Sequence, residues 1–133
     1  MTDAPIRRVE DCLSEAVHSI SREATIADAI KVLRDNHLNA LVVNRRDEDD
    51  EIGLVAVADI AREVMAKRRP PERTFVFEVM TKPIVSVPAQ MRVQYATRLL
   101  ANLDLSQAVV IDDARRPIGI VNRRDLVFAC LED

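Results

Sequence analysis

An α/β fold built from two copies of one β-α-β-β-α unit follows from three observations on this sequence. The chain aligns with itself at an offset of 67 residues, its apolar positions fall into short runs and helical periods, and its only two glycines occupy the same frame in the two copies. That frame reads "GLVAVADI" at 53–60 and "GIVNRRDL" at 119–126. At 133 residues, 48 % of them hydrophobic, the chain can bury one good core, so the expectation is one compact module with no room for a multidomain enzyme. Neither copy is expected to bury its sheet alone, so the two should pack face to face.

The alignment fixes the order of elements. At offset 67, "VEDCLSEAVHSIS" (9–21) meets "VFEVMTKPIVSVP" (76–88), Leu33 meets Leu100, and Val42-Val43 meets Val109-Val110. One residue is lost in the next loop, and at offset 66 Gly53 and Asp59 meet Gly119 and Asp125. The boundary falls near Pro70-Pro71, giving a first repeat with its N-terminal segment over 1–69 and a second over 70–133. Each repeat opens on a short β-branched strand, "VHSIS" or "IVSVP". A helix follows, with Ile26, Ile30 and Leu33 on the apolar face of the first and Val93, Ala96, Leu100 and Leu103 on that of the second. Thr25 and Asp28 form a capping box for the first helix, whereas Arg92 leaves the second without one. "NALVVN" and "QAVVID" are then short buried strands, each followed by a polar turn, a strand holding the Gly, and a helix: "DIAREVMAK" or "DLVFACL".

Two readings of the Gly-to-Asp frame stay open. In the structural one, Gly permits a close backbone approach and Asp caps a helix. In the functional one, free N–H groups at the helix start receive phosphate while the Asp accepts hydrogen bonds from a ribose diol.

The order of elements, the duplication and these frames together resemble the tandem CBS-domain family, whose paired repeats form a Bateman module. The resemblance runs from Val9 to Leu126, and its most specific pieces are "EVMTKPIVSV" at 78–87 and the two frames. It implies a regulatory module that binds an adenosine ligand in the clefts between its repeats: AMP, ADP or ATP, with S-adenosylmethionine less favoured. It also implies that Asp125 and Asp59 hold ribose, and that the residue three before each Asp contacts phosphate. Here that residue is Asn122 or Ala56 rather than Ser or Thr, which puts the first site in doubt. Arg123 and Arg124 add guanidiniums for a polyanion, with Arg115 and Arg116 just upstream. By the same resemblance the base lies near Val85, Ser106 and Gln107 in one copy, and near His18, Asn39 and Ala40 in the other.

Other classes find little support. No Ser/His/Asp or Cys/His arrangement can be placed, no metal spacing surrounds His18, His37, Cys12 or Cys130, and two glycines cannot make a phosphate-cradling loop, so no catalytic residue and no metal is expected. A net charge of −3, no Trp, one Tyr and three Phe disfavour nucleic acid. Without a leader or a membrane-length apolar run the chain reads as a cytoplasmic protein with reduced thiols. The implied partners are a second copy, meeting on helix faces that carry Leu99, Leu103, Val127 and Leu131, and an effector protein. The alternative function is a ligand-free dimerisation scaffold, which the loss of a hydroxyl at Ala56 favours.

Overall fold

A computed structural model describes residues 7–131. Two three-stranded sheets and four helices realise the expected unit twice. In the first repeat these are β1 (Ser19–Ile20), α1 (Ile26–Asp35), β2 (Ala40–Val43), β3 (Gly53–Ala56) and α2 (Val57–Ile60), which continues as a π-helical stretch over Ala61–Met65. The second has β4 (Ser86–Pro88), α3 (Val93–Asn102), β5 (Gln107–Ile111), β6 (Pro117–Asn122) and α4 (Arg123–Leu131). In each sheet the opening strand pairs parallel to the middle one and the Gly strand pairs antiparallel to it. A parallel partner needs a crossover, and α1 or α3 supplies it.

Local chemistry explains the helix starts. Thr25 Oγ1 accepts the Asp28 N–H at 3.1 Å while Asp28 Oδ2 accepts the Thr25 N–H at 3.2 Å, the reciprocal box expected for α1. Arg92 gives α3 no side-chain cap. Both second helices begin two residues before the Asp of the frame, at Val57 and Arg123, because the N-cap positions are Ala56 and Asn122 rather than residues nearer the Asp.

The chain divides into two compact units that cut across the repeats. One runs His18–Ile84; the other joins the chain up to Val17 to the stretch from Val85 onward. We call them the Asp59 unit and the Asp125 unit. Each is completed by the segment that leads into the other repeat. In the Asp125 unit, the Val9 N–H donates to Met91 O at 2.9 Å, and Glu15 and Ile120 exchange backbone bonds of 3.0 and 2.9 Å. In the Asp59 unit, the Val76 N–H donates to Ala24 O at 2.8 Å, and Leu54 and Thr81 exchange bonds of 3.0 and 2.8 Å. Val9 is fully buried with Val87, Leu100, Val121 and Leu126; Val76 is fully buried with Ile26, Leu41, Val55 and Val64.

The glycines serve this crossing. A Cβ on Gly119 would stand 2.8 Å from Leu13 Cδ1, and one on Gly53 would stand 2.8 Å from the Met80 sulfur and 3.3 Å from Thr81 O. Both glycines have ordinary φ, so what they provide is room for a neighbouring segment.

Candidate functional site

In the Asp125 unit the Gly-to-Asp frame becomes a strand-to-helix corner. Asn122 closes β6 and its Oδ1 accepts the Asp125 N–H at 2.8 Å, the N-cap bond that its amide permits. Its own N–H donates to Ser14 Oγ at 2.9 Å. Gln107 pairs with Asn122 across the β5-β6 ladder, and the Arg123 N–H donates to Ser106 O at 2.8 Å. Ser106, Gln107, Asn122, Arg123 and Asp125 therefore gather at one end of that ladder. Val85, just before β4, is exposed.

The charges at this corner are loosely held. Arg124 Nη1 stands 3.8 Å from Asp125 Oδ1, an ion pair too long for a hydrogen bond, and its guanidinium lies 4.6 Å over the Phe128 ring. Arg123 Nη1 reaches the exposed Asp104 Oδ1 at 3.3 Å. The Asp125 side chain is 37 % exposed.

At the equivalent corner of the Asp59 unit the carboxylate is engaged. Asp59 Oδ2 accepts the Ala56 N–H at 3.0 Å and Oδ1 accepts from Arg62 Nη2 at 2.9 Å, while Ala56 has no side-chain acceptor to return the cap. Its side chain is 13 % exposed. The Val57 N–H donates to Asn39 O at 2.9 Å, matching the Arg123–Ser106 bond. Ala40 pairs with Ala56 and is fully buried, so it offers a ligand no side-chain surface. His18, half-buried, accepts the Val42 N–H on its C=O at 2.9 Å.

Of the residues singled out in the sequence, Ser106, Gln107, Asn122, Arg123 and Asp125 meet at one corner and Asn39, Ala40 and Asp59 at the other, while the contacts described join neither Val85 nor His18 to them; Ser14, not singled out, reaches Asn122 from 108 residues away. A signal for it exists: at offset 67 Ser14 aligns with Thr81, a hydroxyl in both leading segments. Arg115 and Arg116 lie in the β5-β6 turn, where the Arg116 N–H donates to Asp112 Oδ1 at 2.8 Å.

An open groove of about 550 Å³ on the Asp59 unit adjoins that unit's corner through Asn39 and Val57 and is lined mainly by apolar residues, among them Ile30, Leu33, Ile60 and Met65. Its polar lining residues are Arg34, His37 and Asn39, the last a base-side candidate of the sequence, and it includes none of Asp59, Ala40 and His18. Among the described residues no group of three His, Cys, Asp or Glu is placed to hold a metal ion, and no helix is long and apolar enough to cross a membrane. Cys12 and Cys130 are free thiols. Burial, then Asp11, pushes the Cys12 thiol up, away from reactivity.

Comparison with known proteins places this geometry in context. The model of the CBS domain matches twice, at residues 9–66 and 76–132. A hexameric CBS-CP12 protein from bloom-forming cyanobacteria superposes with a TM-score of 0.88 at 32 % identity, over 95 % of this chain and 73 % of that one. The CBS domain pair of protein MJ0100, solved in complex with 5′-methylthioadenosine and S-adenosyl-L-methionine, superposes with a TM-score of 0.76 at 26 % identity, over 95 % of this chain and 97 % of that one. L-aspartate semialdehyde sulfurtransferase of Methanocaldococcus jannaschii is 27 % identical over 92 % of this chain but only 23 % of its own length. The chain spans 23 % to 53 % of the first curated relatives it matches.

Proposed function

The chain belongs to the CBS-domain family, and from that premise we propose that it is a regulatory module that takes an adenosine-containing ligand at the Asp125 corner and reports occupancy through its conformation or its association. The observation that carries this reading is the contrast between the two carboxylates. Asp59 already has a partner on each oxygen, whereas Asp125 has only the long pair to Arg124 among the described residues. A ribose diol offers two O–H donors, and Asp125 is the acceptor able to receive them. Asn122, Arg123 and Arg124 would face the 5′ substituent, and Val85, Ser106 and Gln107 the base. The MJ0100 complex, with its two adenosine compounds, supports the ligand class. AMP, ADP and ATP belong to the same proposal, with the two guanidiniums favouring a phosphorylated ligand. The Asp59 corner, with His18, Asn39 and Ala40, is the weaker second site.

The output partner in this reading is a second copy or an effector protein. A ligand-free dimerising scaffold is the second reading, favoured by the exposure of Leu103, Val127 and Leu131, the last at 83 %.

Thermal unfolding tests the proposal with 5′-methylthioadenosine, S-adenosylmethionine, AMP, ADP and ATP in turn. A ligand at about 100 times its Kd adds roughly 2.7 kcal/mol, several degrees for a chain of this size. The shift is expected to survive Asp59→Ala and to vanish in Asp125→Ala. No shift with any compound favours the scaffold, and a shift untouched by Asp125→Ala removes the site.

A further inference from the structure

The two corners share one backbone frame but are closed by different groups, and the leading segments account for the difference. Ser14 and Thr81 are equivalent at offset 67, and each donates its N–H to its Gly strand at 2.8 Å, to Ile120 O and Leu54 O respectively. The last strand N–H of the Asp59 unit, that of Ala56, donates to the frame's own Asp at 3.0 Å. The equivalent N–H of Asn122 donates instead to Ser14 Oγ at 2.9 Å. An N–H has one proton to give, so Ser14 and Asp125 compete for it. While Ser14 holds it, the reciprocal cap seen at Asp59 does not form, and Asp125 keeps both oxygens available.

Resting on the reading that Asp125 receives the ribose, we propose that Ser14 is the positioning residue of that site and that the leading segment Val9–Glu15 is thereby coupled to ligand occupancy. Without the Ser14 hydroxyl, the Asn122 N–H turns to the Asp125 carboxylate, as that of Ala56 does to Asp59, and withdraws an acceptor from the ligand. Coupling of this kind is reciprocal: a ligand that occupies Asp125 strengthens the Ser14–Asn122 bond and holds the leading segment to β6. The segment is built to register it. Ser14 and Glu15 both donate to Ile120 O, at 2.8 and 3.0 Å, and Leu13 lies over Gly119. At the Asp59 corner, where Thr81 Oγ1 does not take the strand N–H, no such link runs from the carboxylate to a leading segment.

Calorimetric titration of the full chain with 5′-methylthioadenosine, S-adenosylmethionine and AMP tests this, using wild type, Ser14→Ala, Ser14→Thr, Asp125→Asn and the Ser14→Ala/Asp125→Asn double variant. Ser14→Ala is expected to weaken binding about fivefold to tenfold, the net value of one hydrogen bond. Ser14→Thr, which keeps the hydroxyl, is expected to restore it. In the Asp125→Asn background, Ser14→Ala is expected to cost nothing further, a non-additivity that a general loss of structure would not produce. Hydrogen exchange on wild type gives a readout independent of any variant's folding: the ligand is expected to slow exchange of the Ser14 and Glu15 amides. Ligand binding with unchanged exchange there, or equal affinity in Ser14→Ala and wild type, overturns the coupling and leaves the ligand site standing. Wild type that binds none of the three compounds removes the ligand site itself, and the coupling with it.

Discussion

Gly53 and Gly119 occupy equivalent places, yet their surroundings differ in how far they can yield. The atoms that a Cβ on Gly119 would meet belong to the Leu13 side chain, which is partly exposed and free to rotate. A Cβ on Gly53 would also meet the backbone oxygen of Thr81 at 3.3 Å and Val43 Cβ at 3.4 Å. Gly53→Ala is therefore expected to cost about 1–3 kcal/mol in a denaturant melt and Gly119→Ala less, and the reverse order would contradict the packing described. The structural reading of the glycine is thus the one these contacts support, while the Asp of the frame keeps a carboxylate without a close partner, among the described residues, at only one corner. That asymmetry was half legible: Ala56 and Asn122 stand in the sequence, but which carboxylate stays available depends on Ser14, which no spacing within the repeat could bring to it. Charge acts at this scale too. A hydrogen bond from Lys82, then one from the Arg46 N–H, holds the Asp50 carboxyl well below the usual carboxylate range, and Lys67, then Arg62, lowers Glu63. Carboxylates depressed on folding contribute stability that is complete above their unfolded pKa, about 4, and is lost as pH falls through the folded values. The urea midpoint is expected to fall below about pH 4, with a shallower fall in Asp50→Asn; identical profiles for the two proteins would remove Asp50 as a cause.

The helices show how much of an element is written in its own residues. The faces with Ile26, Ala29 and Leu33 on α1 and Val93, Ala96 and Leu100 on α3 are buried as their period predicts. Leu103, placed on the same period, is the C-cap of α3 and stays half exposed, because the helix has ended before the stripe turns inward again. The π-helical stretch after α2 was not legible, since "AREVMAK" reads as an ordinary helix by composition. Caps are a local matter and give the cleanest expectation. Arg92 already has the extended backbone of an N-cap, φ −67° and ψ 142°, with no side-chain acceptor to offer. Arg92→Asp should raise stability by about 0.5–1 kcal/mol, and Thr25→Ala should lower it by about 1 kcal/mol; calorimetric melts decide both. A loss in Arg92→Asp would contradict this reading of the α3 start.

At the scale of the whole molecule the repeat was legible and its completion was not. Hydrophobic period identifies a strand or a helix, but it cannot say which copy a leading segment will join. The crossing makes each repeat dependent on the other. A fragment 70–133 lacks Val9 and Glu15, and a fragment 1–69 lacks Val76, Val79 and Thr81, all five of which are buried or bridge-paired in the unit they would leave. Circular dichroism is expected to show neither fragment melting cooperatively near the full chain's midpoint, and a mixture recovering part of the transition. Cooperative melting of either half alone would show that the leading segment is dispensable. The same crossing sets an address for anything fused to the chain. A reporter joined ahead of Arg7 is wired to the unit that holds Asp125, although it sits next in sequence to the repeat that holds Asp59. For a biosensor built on this module, the linker to shorten is therefore the one that, by sequence order alone, leads to the wrong half.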